Sequence, residues 1–143
     1  MDFLSALSIS ASGLSAERTR VNLATSNLAN AESTRGPDGK PYRRRDPVLA
    51  AVPFDQALSE ASGAAGPALG VTVSEIREDP RPGRKVYSPG HPDADAQGFV
   101  TLPNVNPIHE VVNLMTSAKS YEANATAVET LKSMAMRALD IGR

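Results

Sequence analysis

The stretch LSALSISASGLSAERTRVNLATSNLAN, residues 4–30, decides the fold of this chain. It contains no proline, and large aliphatic residues recur every seven positions, at Leu7, Leu14, Val21 and Leu28. Such a repeat is typical of a helix that packs against another helix along a narrow seam. Most other positions are Ser, Thr or Ala, so the helix would be marginal alone. The sequence therefore predicts an N-terminal axial helix within residues 2–31 that needs a partner.

A second helix is predicted at the other end of the chain, within residues 104–143. Asn106 is suited to cap its free N–H groups, and Pro107 is suited to the first helical position because its missing N–H would have no partner there. Its heptad positions are Leu114, Tyr121, Val128 and Ala135. We expect the two helices to form one core as an antiparallel, coiled-coil-like pair.

The middle of the chain, residues 32–103, cannot be helical throughout because it holds every proline except Pro107. Runs of β-forming residues separated by turn residues predict a small antiparallel sheet or a pair of hairpins. These runs are residues 48–54, 70–76, 84–87 and 99–102. The small residues of 59–70 predict a flexible loop. The predicted fold class is α+β, mainly α.

Composition excludes several classes of function. The 143 residues carry a net charge of −1, which gives no overall attraction to nucleic acid or to an anionic membrane. No segment has the roughly 18 apolar residues of a membrane span. Without cysteine there is no disulfide and no thiolate metal site. Aromatic residues make up only 4%, so we expect partner chains to supply part of the burial.

The chain's main basic cluster is Arg43, Arg44 and Arg45, in a segment, residues 35–47, whose net charge is +3. Binding of single-stranded nucleic acid would call for several aromatic side chains beside these cations, and only Tyr42 is present. We therefore expect a solvated loop or a contact with an acidic neighbouring subunit, and no nucleic-acid partner.

A metal site is an alternative at His91, Asp93 and Asp95, which place one nitrogen and two carboxylates within five positions. A small metal-dependent hydrolase centred on these residues is therefore a rival interpretation. The surrounding Pro and Gly turn residues disfavour it, and no catalytic motif is present. We expect no enzyme activity, no metal and no cofactor.

Several motifs resemble the flagellar axial proteins of the rod and hook. Residues 26–31, with Asn27 and Asn30, are similar to the asparagine-rich motif that this family shares at the end of its first helix. The other motifs resemble proximal-rod members and occur in the same order; they are residues 36–43, 86–95, 98–105 and 115–124. The resemblance covers nearly the whole chain.

The resemblance implies a structural subunit of the proximal rod, the helical drive shaft inside the bacterial flagellar basal body, needed for motility. It implies that the subunit polymerises around an export channel and transmits torque. The implied partners are other copies of the chain, other rod proteins, the protein at the junction of rod and MS ring, and the flagellar type III export apparatus. It also implies a place in the rod across the periplasm and export without a cleaved signal peptide. The N-terminus, residues 1–5, has no basic leader region.

The residues expected at assembly interfaces lie on the two terminal helices. They are Leu7, Leu14, Val21, Asn27, Leu28, Asn30, Val111, Leu114, Ala118, Tyr121, Val128, Leu131 and Ala135. Taken alone, such heptads more often form a core or intramolecular seam than a contact between subunits, and the two asparagines could end the helix by capping it. A generic coiled-coil adaptor outside the flagellum is therefore a second rival interpretation.

Overall fold

A computed structural model describes residues 3–36, 38–53 and 69–141. Two long helices flank four strands. In chain order the elements are α1 (Phe3–Ala29), β1 (Arg45–Pro53), β2 (Leu69–Glu78), β3 (Arg84–Tyr87), β4 (Phe99–Leu102) and α2 (Pro107–Ile141). This arrangement confirms the predicted fold class. The loop predicted over residues 59–70 lies outside the described residues except for its last two, which begin β2.

Asparagine side chains bond backbone groups at the end of α1 and at the start of α2. At the end of α1, Asn30 Nδ2 donates to the Ser26 carbonyl at 2.8 Å, and the Asn30 backbone N–H donates to the same oxygen at 3.1 Å. At the start of α2, Asn106 Oδ1 accepts from the Ile108 N–H at 3.0 Å. These bonds satisfy backbone groups that a helix terminus leaves unpaired.

The strands form two separate two-stranded sheets, β1 with β2 and β3 with β4. In the second sheet the pairing is antiparallel and runs from Arg84 opposite Leu102 to Tyr87 opposite Phe99. The rings of Tyr87 and Phe99 meet edge to face with centroids 5.3 Å apart. The described strands thus form two pairs, which agrees with the second of the two predicted arrangements, an antiparallel sheet or a pair of hairpins.

The connection between β3 and β4 is held by Asp95. Its Oδ1 accepts from the backbone N–H groups of Phe99 and Gln97, both at 2.9 Å. These bonds, that of Phe99 foremost, lower the pKa of Asp95 because they stabilise the charged carboxylate. Gly98 completes the turn with a φ of 81°, and a Cβ there would lie 2.9 Å from the Tyr87 ring.

The chain divides into two compact units, and each contains parts of both helices. Unit 1 comprises Met1–Thr19, Val48–Glu75 and Thr116–Arg143; unit 2 comprises Arg20–Pro47 and Ile76–Met115. In unit 2 the described apolar core includes Val100 and Val105, both at most 5% exposed.

Small and polar residues form the contact between the helices in each unit. In unit 1, Gly13 of α1 lies so close to Asn124 of α2 that a Cβ would be 2.9 Å from Asn124 Nδ2. Ala16 and Ser117 are also buried in this unit. In unit 2 the helices are joined by a hydrogen bond between Asn27 and Glu110. Small side chains and a hydrogen bond therefore allow the helices to approach closely at these points.

Candidate functional site: a buried polar network and an exposed apolar stripe

Asn27, in the last turns of α1, is 1% exposed and is the centre of a polar network in unit 2. Its Nδ2 donates to the Arg45 carbonyl at 2.9 Å and to Glu110 Oε2 at 3.0 Å. Its Oδ1 accepts from the Arg45 N–H and the Tyr42 hydroxyl, both at 2.9 Å. A primary amide offers two donors and two acceptor positions, and all four are used. In the single chain this side chain lies inside the subunit, and its hydrogen-bonding capacity is used within unit 2.

Glu110, in the first turn of α2, carries a buried negative charge and is also 1% exposed. Besides Asn27, it accepts a hydrogen bond from Arg44 Nε at 2.6 Å. Arg44 also pairs with Asp46. Burial alone would lower the pKa of Arg44, but the bonds and charges of Asp46 and Glu110 raise it above its ordinary value. Both charges of this pair are compensated, and removing either partner would leave a buried charge with a large desolvation penalty.

The other residues of the basic cluster lie around the edge of this network. The Arg45 guanidinium lies 5.7 Å from the centroid of the Tyr42 ring and pairs with Glu78 at 3.2 Å. Arg43 is exposed. The prediction of a solvated basic loop is therefore wrong for Arg44, whose side chain is 15% exposed, because its acidic partner comes from the same chain. The sequence gives no long-range signal for Glu110, which looks there like an ordinary acidic residue in a first helical turn.

The three residues considered for a metal site, His91, Asp93 and Asp95, form hydrogen bonds and an ion pair within unit 2. Asp93 accepts from Thr34 Oγ1 at 2.8 Å and pairs with Arg35 at 2.9 Å, while His91 Nδ1 accepts from the Asp93 backbone N–H at 3.0 Å. Asp95 is bonded to backbone N–H groups, as described above. Among the described residues, no group of three metal-ligating side chains could hold an ion. These residues hold the β3–β4 connection to the segment that follows α1.

A surface groove of about 820 Å³ adjoins the network and is lined in part by Arg44, Asn104, His109 and Glu110. Its charged interior pair, Arg44 and Glu110, is mutually neutralised. Asn104 Oδ1 accepts from the Arg44 backbone N–H at 3.1 Å and so fixes the loop. Chemically, this arrangement holds three chain segments together; it presents no activated nucleophile or free acid–base pair among the described side chains.

Most of the large heptad side chains predicted at interfaces are partly exposed. Those of intermediate exposure are Leu7, Leu14, Val21, Leu28, Leu114, Val128, Leu131 and Ala135. Val111 and Tyr121 are both 41% exposed, and Ala118 is exposed. These residues therefore leave part of their apolar surface uncovered in the single chain.

Four apolar residues at the start of α2 form an exposed stripe. Ile108, Val111, Val112 and Met115 are 74%, 41%, 56% and 57% exposed. Their spacing of three and four positions places them on one face of the helix. We call this set the exposed stripe. Contiguous exposed apolar surface of this kind marks a site of protein interaction.

Two family models match the chain at its two ends. The family described as "Flagella basal body rod protein" matches residues 7–37, and the family described as "Flagellar basal body rod FlgEFG protein C-terminal" matches residues 96–141. The first match covers most of α1 and the asparagine motif, and the second covers β4 and α2. Both families are of flagellar basal-body rod proteins, which are structural proteins.

Relatives similar to the chain over its full length share one name. The flagellar basal-body rod protein FlgC of Salmonella typhimurium is 42% identical, with 100% of each chain covered. FlgC of Bacillus subtilis is 44% identical over 96% of each chain, and FlgC of Aquifex aeolicus is 43% identical over 98% of this chain and 97% of its own. The chain belongs to the FlgC family and is a structural component of the flagellar basal-body rod. Neither described helix contains a stretch long and apolar enough to cross a membrane.

Proposed function

We propose that this chain is a subunit of the proximal rod that polymerises, with copies of itself and with other rod proteins, through its two terminal helices. The resulting helical shaft transmits torque, encloses an export channel and is required for motility. In this proposal residues 2–31 and 104–143 form the assembly core, and residues 32–103 form an insert. The observation that carries it is the exposed stripe, where four aliphatic side chains remain in contact with water in the single chain.

The free energy of burial favours association along α2. Burying an exposed aliphatic side chain stabilises by about 25 cal/mol per Å² of apolar surface. The stripe is supplemented further along α2 by Met134, Met136 and Leu139, which are 61%, 58% and 73% exposed. Because these side chains are distributed along a long helix, the load on a rotating shaft would be shared among many contacts. The partly exposed heptad positions are proposed as further contacts, and Arg43 as a contact for an acidic neighbour.

A pair of aspartates in the exposed stripe tests the assembly role. Ile108→Asp with Met115→Asp should leave the subunit folded, because both side chains are exposed in the single chain. Assembly should fail because two charges would enter a dry interface. The matched control is Lys119→Asp with Thr126→Asp, which places two aspartates at exposed polar positions of the same helix. Each pair is introduced into a strain lacking the native gene.

Electron microscopy of basal bodies and a swimming assay then give the readout. We expect no rods and no motility for the stripe variant, and near-normal rods for the control. Leu14→Asp with Val128→Asp should likewise prevent assembly while leaving synthesis intact. Rods of normal length built from the stripe variant would contradict the proposal.

The proposal also includes the route and destination of the chain: export by the flagellar type III apparatus without a cleaved signal peptide, and a position in the rod across the periplasm beside the protein at the junction of rod and MS ring. Mass spectrometry of protein extracted from purified basal bodies should recover the N-terminal residues 1–18. A strain without the export apparatus should retain the protein in the cytoplasm. Recovery of a shortened N-terminus from assembled rods would refute export without cleavage.

A further inference from the structure

The backbone groups of β1 divide between two edges of its sheet. The Arg44 carbonyl, just before the strand, accepts from the Asp79 N–H at 2.8 Å and so faces β2. Further along, the Val48 carbonyl accepts from Ser74 Oγ of β2 at 3.0 Å. Backbone groups alternate in direction along a strand. Even-numbered positions of β1 therefore face β2, and odd-numbered positions face the outer edge.

Three of the five outward positions cannot pair with another strand in the usual way. At the first, Arg45, both the N–H and the carbonyl are bonded to the amide of Asn27, each at 2.9 Å. This amide supplies one donor and one acceptor to the strand, as a residue of a third strand would. The outward positions 47 and 53 are prolines, which have no N–H. Only Leu49 and Ala51 retain outward N–H groups for a regular ladder.

We propose that Asn27, Pro47 and Pro53 close the outer edge of β1 to strand addition, so that copies of this chain join through their helices and not by pairing their strands edge to edge. The inference rests on the proposed function only in that polymerising subunits meet one another at high local concentration. Its structural basis is independent of the exposed stripe.

Such protection matters because the sheet is otherwise suited to pairing. Leu49 and Val52 are 41% and 43% exposed, and an exposed strand edge with apolar side chains is a template for strands of other chains. The opposite edge is engaged at one point by α1, where the Val71 N–H donates to Ser12 Oγ at 3.0 Å. Blocking residues are therefore expected to matter at the outer edge of β1.

The test restores the missing N–H groups and reports on edge pairing with a single cysteine. Pro47→Val with Pro53→Val raises the number of outward N–H groups, and Ala51→Cys places a thiol at the middle of the edge in a chain that has no other cysteine. When two β1 strands pair antiparallel about this position, the thiols can form a disulfide. The matched control carries Pro80→Val and Pro92→Val, two exposed prolines outside the strands, with the same cysteine.

We expect oxidation of the purified Pro47/Pro53 variant to give about tenfold more disulfide-linked dimer than the control, from the added backbone hydrogen bonds. Infrared spectra of the same sample should show added β-structure. A second variant, Asn27→Ala with Ala51→Cys, should also raise the dimer yield by freeing Arg45. Circular dichroism establishes that each variant is folded, and the proline pair alone decides the matter if Asn27→Ala unfolds.

A folded Pro47/Pro53 variant that forms no more dimer than the control would overturn the proposal. The proposal would also be overturned if the chain with Ala51→Cys alone, which keeps both prolines and Asn27, formed as much disulfide-linked dimer as the Pro47/Pro53 variant. The stripe variant, Ile108→Asp with Met115→Asp, separates this inference from the proposed function. It should abolish rods without changing cross-linking at position 51, so the failure of one does not imply the failure of the other.

Discussion

Replacing Asn27 by alanine should destabilise the subunit far more than the same replacement of Asn30, at the same end of α1. The change removes four hydrogen bonds, each of which contributes about 1 kcal/mol net. It also leaves the buried Glu110 carboxylate with one partner instead of two, which adds about 1–3 kcal/mol. Some freed groups can bond to water, since Arg45 is exposed and Tyr42 is half-buried. The net loss should be about 3–4 kcal/mol, a large part of the total stability of a typical domain.

Urea denaturation followed by circular dichroism measures this loss. With a denaturant dependence of about 2 kcal/mol per molar urea, the unfolding midpoint should fall by roughly 1.5–2 M. Asn30→Ala is the matched control, because Asn30 is the same residue type at the same helix end and its side chain makes one bond, to Ser26. That control should cost about 0.5–1 kcal/mol.

A charged replacement of Asn27 distinguishes the effect of lost hydrogen bonds from the effect of the buried charge of Glu110. Asn27→Asp would place a second carboxylate about 3 Å from Glu110. It should destabilise more than Asn27→Ala, because two carboxylates would then repel each other inside the subunit. Losses for Asn27→Ala and Asn30→Ala that agree within about 0.5 kcal/mol would refute the reasoning that Asn27 joins the three segments.

Three further predictions concern other sites. Gly83→Ala should prevent the β3–β4 pairing, because a Cβ would overlap the Leu102 carbonyl, and loss of amide-exchange protection in these strands would show it. Ser117→Ala should leave stability unchanged or raise it by up to about 1 kcal/mol, since the buried hydroxyl has no hydrogen-bond partner among the described residues; a larger loss would contradict this. Hydrogen bonds from Arg81 lower the pKa of Asp79 to about 2 from an ordinary value of 3.8. The contribution of Asp79 to the free energy of unfolding should therefore be complete above about pH 4 and be lost as the pH falls through 2. Asp79→Asn should remove this dependence of the free energy of unfolding on pH.

The helices and strands were accessible from the sequence because their signals are local. Pro107 begins α2 as predicted, and the predicted strands 84–87 and 99–102 match β3 and β4. The predicted strands 48–54 and 70–76 began too late, because β1 begins at Arg45 and β2 begins at Leu69. Arg45 looks like part of a charged loop in the sequence, and it is in a strand because Asn27 bonds its backbone. A tertiary contact of this kind leaves no local trace.

The long-range partners of the network were not accessible for the same reason. Asn27 and Glu110 are separated by 83 positions, and neither periodicity nor spacing connects them. The sequence identified the asparagine motif as important but offered two local roles for it, helix capping and contact with neighbours. Asn30 bonds the end of its own helix, whereas Asn27 uses all its capacity on two other segments, residues 42–45 and the start of α2. Two asparagines of one motif thus have different physical roles, which only their surroundings distinguish.

The position of the contact between the helices changes how the heptads are understood. If Leu7, Leu14, Val21 and Leu28 filled that contact, little apolar surface would remain for other chains. Close contacts between the helices include that of Gly13 with Asn124 in unit 1 and that of Asn27 with Glu110 in unit 2. Hydrogen bonds and small side chains can hold two helices together while burying little apolar surface. Leu7, Leu14, Val21 and Leu28 are of intermediate exposure, so part of their apolar surface remains for another chain to cover.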